Sequence, residues 1–285
     1  MNALTVDVED YFQVSAFSDR IKRSDWDRLE CRVEANTDKL LELFDEYSVQ
    51  ATFFVLGWVA ERYPALLKRI HRAGHELASH GYWHQLVYDL TPESFAKDLN
   101  DSREAIMNAC GVEVTAYRAP SFSITKKSWW ALSVLAELGF KTDSSIFPIS
   151  GHDRYGVADA KREIHDIETD QGTIREFPPT AWTKGPLQVP IGGGYFRLFP
   201  LALTNHAIQA INKQNRPAMF YTHPWEFDPE QPRLSGLTAK NRFRHYVGLE
   251  KTTAKLRRML STHSFTTLTD SCSGENNVPS NSMTN

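Results

Sequence analysis

Three acids fall within four residues at Asp7, Glu9 and Asp10, and two histidines stand four apart at His80 and His84. Imidazoles at that spacing share one face of a helical turn and can both reach a single metal ion. Two imidazoles and one carboxylate leave a coordination position open for water, the pattern of catalytic rather than structural zinc. The acidic group can supply the carboxylate. Alternation along a strand puts Asp7 and Glu9 on the same face, and a buried run of like charge needs a cation or a shifted pKa to relieve it. The strand-end acids Asp7, Glu9 and Asp10 are the candidates for that carboxylate. Arg118, followed by Ala119 and Pro120, can grip a carboxylate with its planar fork, and Asp143 is a candidate partner for it. His223, in Thr222-His223-Pro224-Trp225-Glu226, can act as a general acid if an acidic group tunes it.

These residues need elements that bring them together. Ala3 to Val8 reads as a short buried strand running into the acids. Thr37 to Tyr47 has helical spacing, Ala51 to Leu56 is a strand covered on both faces, and Val59 to Arg72 is a helix ended by Gly74. His75 to Ser79 is a strand. Pro92 to Ala109 is a helix with Thr91 as its cap and Gly111 past its end. Val114 to Tyr117 and Phe140 to Asp143 read as strands around a helix from Thr125 to Leu138. Residues 150–194, rich in Gly, Pro and polar types, read as elaborated loops with short strands such as Ile174 to Phe177. Alternation resumes with a helix over 201–212, a strand over 218–222, a helix over 249–260 and a strand over 265–268. Repeated β-α alternation argues for parallel strands with crossover helices. In such folds chemistry gathers at the C-terminal strand ends, which is where Asp7, His80, Arg118, Asp143 and His223 fall.

The chain has 285 residues, 41% of them hydrophobic, enough to bury one large α/β domain without disulfides. A net charge of -3 with no long basic run argues against a nucleic-acid partner. Three well-separated cysteines, Cys31, Cys110 and Cys272, make no disulfide framework. No signal-peptide pattern or 18-residue apolar run is seen, so the expected compartment is the cytoplasm, with no integral membrane segment. The expected domain spans 1–270, with a disordered tail over 271–285. Nothing in the sequence speaks to oligomeric state.

Taken in order, the motifs resemble the polysaccharide deacetylases of carbohydrate esterase family 4, the NodB-homology group. Thr5-Val6-Asp7-Val8-Glu9-Asp10 is similar to its strand-end acids, and His80-Gly81-Tyr82-Trp83-His84 to its histidine motif, with Gly81 in place of a hydroxyl residue. Arg118-Ala119-Pro120 is similar to its arginine motif, with Ser121 where an aromatic is usual and Phe122 next. Asp143-Ser144-Ser145 and Thr222-His223 complete the set. The blocks DVEDYF, SHGYWH, RAPSF, DSSIFP, GGGYFR and THPWEFD resemble a subgroup associated with exopolysaccharide and exosortase loci, which carries a family-specific C-terminal extension.

The resemblance implies a distorted (β/α) barrel of about seven parallel strands with outer helices. It implies hydrolysis of the N-acetyl group of N-acetylhexosamine units in a glycan, helped by a divalent metal. Zn2+ suits the ligands best, with Co2+ or Ni2+ as alternatives. In the resemblance Asp7 would be the base and His223 the acid, and His80 and His84 would hold the metal with Glu9 or Asp10, of which Glu9 is favoured because it shares a face with Asp7. Arg118 would position Asp7, Asp143 would hold Arg118 or tune His223, and a backbone N–H near Tyr11 or Phe12 would face the oxyanion. Tyr82, Trp83, Tyr195 and Trp225, with Trp182, are candidate sugar-stacking surfaces. Gly192-Gly193-Gly194 allows a close backbone approach, read here as contact with the glycan. Hydrolysis of another amide or of an O-acetyl ester remains the alternative.

Overall fold

The computed structural model describes residues 1–273 apart from Asp153 and Pro186. Its strands are β1 (Asn2–Val8), β2 (Thr52–Val55), β3 (Glu76–Ser79), β4 (Ala116–Tyr117), β5 (Thr142–Asp143), β6 (His165–Thr169), β7 (Gly172–Glu176), β8 (Ala181–Lys184), β9 (Leu187–Pro190), β10 (Met219–Thr222) and β11 (Phe265–Thr266). The helices are α1 (Val33–Glu46), α2 (Gly57–Arg62), α3 (Pro64–Arg72), α4 (Pro92–Cys110), α5 (Ala131–Glu137), α6 (Gly193–Leu198), α7 (Leu201–Asn212), α8 (Ala239–Tyr246), α9 (Leu249–Leu260) and α10 (Leu268–Ser273). The main sheet runs β10-β1-β2-β3-β4-β5-β7-β6, with β11 also on β1. All its pairings are parallel except the β6–β7 hairpin. This is the expected mixed α/β fold, a mostly parallel sheet with outer helices.

Alternation divides the sheet into two buried faces. Leu4, Val6 and Val8 of β1, Phe53 and Val55 of β2, Leu77 of β3 and Phe220 of β10 pack with helix residues such as Phe44, Ile70, Ile208 and Leu256. The opposite face collects Ala3, Phe54, Ala78, Ala116, Met219 and Tyr221. Leu268 and Cys272 of α10 join that second cluster. Continuing two residues at a time along its strands reaches Asp7, His80, Arg118 and His223. The spacing that buries the inner core thus also delivers the polar residues to one end of it.

Several boundaries follow from local chemistry. The helix expected over 59–72 is two helices, because Pro64 at the start of α3 has no N–H to continue the turn. Thr91 and Ser94 form a capping box on α4, and Gly111 ends it at φ +75°. The stretch read as loops contains the β6–β7 and β8–β9 hairpins and the start of α6. Of the expected tail, Ser271 and Cys272 are buried in α10, and 274–285 lie outside the described residues.

His75 ties α3 to β2. Its Nδ1 accepts the Ala51 N–H at 3.1 Å, and its ring packs 5.0 Å from Phe53. Burial pushes its pKa from 6.5 down to about 4. The folded state therefore keeps it neutral, so its contribution to stability is complete above 6.5 and is lost as pH falls toward 4. The urea midpoint of unfolding should fall between about pH 7 and about pH 5. In His75→Gln, which keeps an acceptor but does not titrate, the fall should be smaller; an equal fall would remove His75 as a source of it.

Candidate active site

Asp7 sits at the C-terminal end of β1 and is 3% exposed. Arg118, fully buried just beyond β4, donates from one terminal nitrogen to Asp7 Oδ1 at 2.7 Å and to Thr5 Oγ1 at 2.8 Å. Its other donors reach Ser144, Nε to the carbonyl at 3.2 Å and the second terminal nitrogen to the hydroxyl at 3.0 Å. The guanidinium lies 4.1 Å from the centre of the Phe54 ring. Its fork is thus set by β1 and by the turn after β5, which fixes the orientation of Asp7. The other Asp7 oxygen lies 3.8 Å from His223 Nε2.

Beside Asp7, donor atoms of Glu9, His80 and His84 all lie within 4.8 Å of one another, an arrangement that can hold a metal ion. His80 Nδ1 donates to the Arg118 carbonyl at 2.8 Å, which leaves its Nε2 lone pair for the cluster. His84 Nε2 stands 2.6 Å from Glu9 Oε2, yet that buried oxygen has no hydrogen-bond donor. Ligand atoms that converge without hydrogen-bond geometry, from two imidazoles and a carboxylate, suit a divalent cation. Burial alone would raise the Glu9 carboxyl, but His84, His223 and His80 outweigh it and hold it well below the usual carboxylate range. Burial pushes His80 down to about 4, so it presents a neutral ring. Backbone strain marks this corner: His84, Ser121 and Phe122 all adopt φ +52°.

Asp10 has a different task. Its Oδ2 accepts the N–H groups of Arg32 and Val33 at the start of α1, at 2.5 and 2.8 Å, and Oδ1 accepts Tyr11 N–H. Glu9 is therefore the acid that geometry brings to the histidines. The Tyr11 N–H, expected near an oxyanion, is committed to Asp10 instead.

His223 has a carboxylate partner that sequence reading missed. Its Nδ1 donates to Glu226 Oε2 at 3.1 Å, which leaves Nε2 toward Asp7 and Glu9. Glu226 also accepts from Thr222 Oγ1 at 2.8 Å and from Arg197 Nε at 2.7 Å. Burial opposes charge on His223, but Glu226, Glu9 and Asp7 together lift it to about 9. Burial likewise raises Glu226, but Arg197 and His223 pull it down to about 2. The spacing of His223 and Glu226 in a Pro-started turn was the available signal, since a turn carries the acid back over the ring. Arg197, far away in sequence, left none.

Asp143 corrects an expectation. It pairs in register with Glu176 of β7 and Tyr117 of β4, and Tyr117 belongs to the face covered by α4 and α5. Alternation thus turns Asp143 away from the site and Ser144 toward Arg118. Asp143 Oδ1 accepts Ser145 Oγ at 2.6 Å, while Arg118 takes Asp7 and Ser144, and His223 takes Glu226.

A cavity of about 360 Å³ opens over Asp7, Glu9, His80, His84 and His223, walled further by Tyr195, Tyr221, Trp225 and Phe243. Of the expected stacking surfaces, Tyr195 and Trp225 line it. Trp225 is only 5% exposed, sandwiched between His223 and His245, and its Nε1 donates to Glu9 Oε1 at 3.1 Å. It orients the carboxylate rather than offering a platform. Tyr82 and Trp83 point elsewhere: the Tyr82 hydroxyl bonds Glu61, and Trp83 packs on Trp26. Their loop is pinned to α4 by Asp98, which accepts both their N–H groups. A Cβ at Gly81, φ +73°, would meet that carboxylate at 2.7 Å. Trp182, in β8, packs on His206 of α7. The close approach at Gly192 and Gly193 is to Tyr221, whose carbonyl and ring would lie 2.4 and 2.8 Å from added Cβ atoms, while Gly193 and Gly194 also line the cavity. Phe122 fills the position beside Ser121, packing on Tyr221 and Phe147.

Residues 25–142 match the polysaccharide deacetylase family, and residues 144–273 match a family described as a domain of unknown function. A peptidoglycan deacetylase of Helicobacter pylori is 34% identical over 118 residues, covering 40% of this chain and 38% of that protein. A chitooligosaccharide deacetylase of Rhizobium leguminosarum bv. trifolii is 34% identical over 74 residues, covering 26% of this chain and 34% of that one. The chain thus spans little more than a third of these relatives' lengths. In fold, it is similar to a crystal structure from Mycobacterium smegmatis described as a polysaccharide deacetylase, with TM-score 0.60 and 22% identity over 93% of this chain and 85% of that one. The polysaccharide deacetylase likeness thus lies in residues 25–142, and the structural likeness is one of fold.

The contrasting partners of Glu9 and Asp10 separate their roles experimentally. Glu9→Ala should stay folded and lose zinc binding in calorimetric titration. Asp10→Ala should bind zinc while losing about 1–3 kcal/mol of stability through the unpaired α1 N–H groups. Zinc lost only in the Asp10 variant would reverse the assignment.

Proposed function

With the polysaccharide deacetylase family as premise, we propose that this protein hydrolyses the N-acetyl group of N-acetylhexosamine units in a bacterial polysaccharide or its precursor, releasing acetate and a free amine. The observation that carries this reading is the placing of Asp7. It is clamped by Arg118 on one oxygen, faces His223 with the other, and adjoins the Glu9, His80 and His84 cluster in one cavity. A divalent cation held by those three residues, Zn2+ best suited and Co2+ or Ni2+ as alternatives, supplies Lewis acidity toward the acetyl carbonyl and lowers the pKa of water.

The protein's own groups divide the proton work. Asp7 Oδ2, the oxygen not engaged by Arg118, takes a proton from the attacking water. His223 Nε2 delivers a proton to the departing nitrogen, while Glu226 on Nδ1 keeps the ring turned into the cavity. Trp225 holds Glu9 in place by its indole N–H, and burial of the carboxylates keeps bulk water from screening these interactions. Tyr195 and the 56%-exposed Phe243 offer apolar ring faces to a sugar at the cavity mouth. The motif blocks resembling the exopolysaccharide-associated subgroup favour an exopolysaccharide or its precursor as substrate.

Acetate and free amine should appear in equal amounts when the zinc-loaded protein is incubated with a panel of N-acetylated oligosaccharides. Acetate without amine would indicate an O-acetyl ester instead. Asp7→Asn should keep its zinc and lose roughly 10²–10⁴-fold in kcat; a variant as fast as the wild type would sink this mechanism.

A further inference from the structure

Asp143 and Glu176 are both completely buried and lie side by side in the β5–β7 register. Each keeps one oxygen, Asp143 Oδ2 and Glu176 Oε2, with no donor from any other group. Two full negative charges so placed would repel each other, and burial adds to the cost of keeping both. One proton shared between them removes that repulsion and supplies the missing hydrogen bond. The surroundings say which acid keeps it. Burial raises the Asp143 carboxyl, but Ser145 Oγ and the backbone N–H groups of Ser144 and Ser145 favour its anion. Among the described residues Glu176 accepts a backbone N–H only from Ile146, at 3.0 Å, and burial with the neighbouring Asp143 pushes its carboxyl well up. Arg118 also acts on this acid from a distance, favouring its charged form, but its hydrogen bonds go to Asp7, Thr5 and Ser144.

We infer that Glu176, through a proton it shares with Asp143, is a positioning residue for Arg118 and hence for Asp7. The pair holds both sides of the turn that grips the guanidinium. Asp143 holds Ser145, whose hydroxyl also accepts the N–H of Ala119, next to Arg118, at 2.8 Å. Glu176 holds Ile146 N–H. Between them Ser144 presents its carbonyl and hydroxyl to Arg118, and that hydroxyl is itself anchored on the Phe177 carbonyl at 2.8 Å. Glu176 lies in the segment matching the domain of unknown function, whereas Arg118 lies in the deacetylase segment. The acid pair is one place where the second segment shapes the first one's machinery.

The activity arm of the test rests on the deacetylase reading, and the spectroscopic arm does not. Glu176→Gln can donate to Asp143 and accept from Ile146, so it should stay within about twofold of wild-type kcat. Glu176→Ala removes both bonds and should lower kcat about tenfold or more with KM little changed and zinc content intact. In infrared difference spectra at mildly alkaline pH, wild type minus Glu176→Gln should show the carbonyl band of a protonated carboxylic acid. Absence of that band overturns the inference, as does a Gln variant as impaired as the Ala variant, or an Ala variant of full activity. If the Ala variant does not fold, the Gln variant and the band still decide. Should wild type release no acetate from any substrate, the deacetylase reading falls while the band still tests the shared proton.

Discussion

The structure depends on burying carboxylates at one end of a curved parallel sheet. Asp7, Glu9 and Glu226 are each no more than 3% exposed and all three lie around one imidazole, His223. Like charges in that setting are tolerated only if opposite charge and hydrogen bonds are fixed close by. Arg118 answers Asp7, Arg197 answers Glu226, and Glu9 leans on the histidines with one oxygen left for a cation. Each cation is therefore a structural requirement as well as a chemical asset. Removing either arginine would leave a buried charge without a partner, a larger penalty than the loss of an exposed ion pair.

That requirement shapes parts of the fold that look unrelated to chemistry. Arg197 sits in the short helix α6, and three backbone carbonyls from α8 and the residue after it, those of Arg244, His245 and Val247, take up its other donors. Gly248 stands at φ +70°, and a Cβ there would come within 2.6 Å of the Arg197 carbonyl, so glycine is needed where the chain passes this close. His245 stacks on Trp225, which holds Glu9. In this way residues of the 144–273 segment reach a carboxylate near the N-terminus through one packed column of rings. The deacetylase-matching segment supplies only His80, His84 and Arg118; Asp7 and Glu9 precede it, and Arg197, His223 and Glu226 follow it.

The roles of neighbouring acids follow from the same physics. Glu9 and Asp10 are adjacent, yet one faces the histidines and the other closes the start of α1, because successive residues past a strand point in different directions. Asp143 and Ser144 divide in the same manner, one toward the helices and the other toward Arg118. A residue type suited to catalysis is thus assigned to it, or withheld, by which way its position in the strand turns it.

Much of this was legible in the sequence. The strand-end positions of Asp7, His80, Arg118 and His223, and the preference for Glu9 over Asp10, rest on two-residue alternation, which is local and survives in any parallel fold. Helices with clear caps, such as α4, and the α7 and α9 spans were readable for the same reason. What the sequence could not supply were relations across long separations. The outward turn of Asp143 depends on the register of β5 against β4 and β7. The Arg197–Glu226–His223 relay depends on α6 packing beside β10, and the turning of Tyr82 and Trp83 away from the cavity depends on Asp98 drawing their loop to α4. Local chemistry determined which residues stand at the strand ends; only the pairing and packing of the strands, by fixing register and filling space, decided which of them meet.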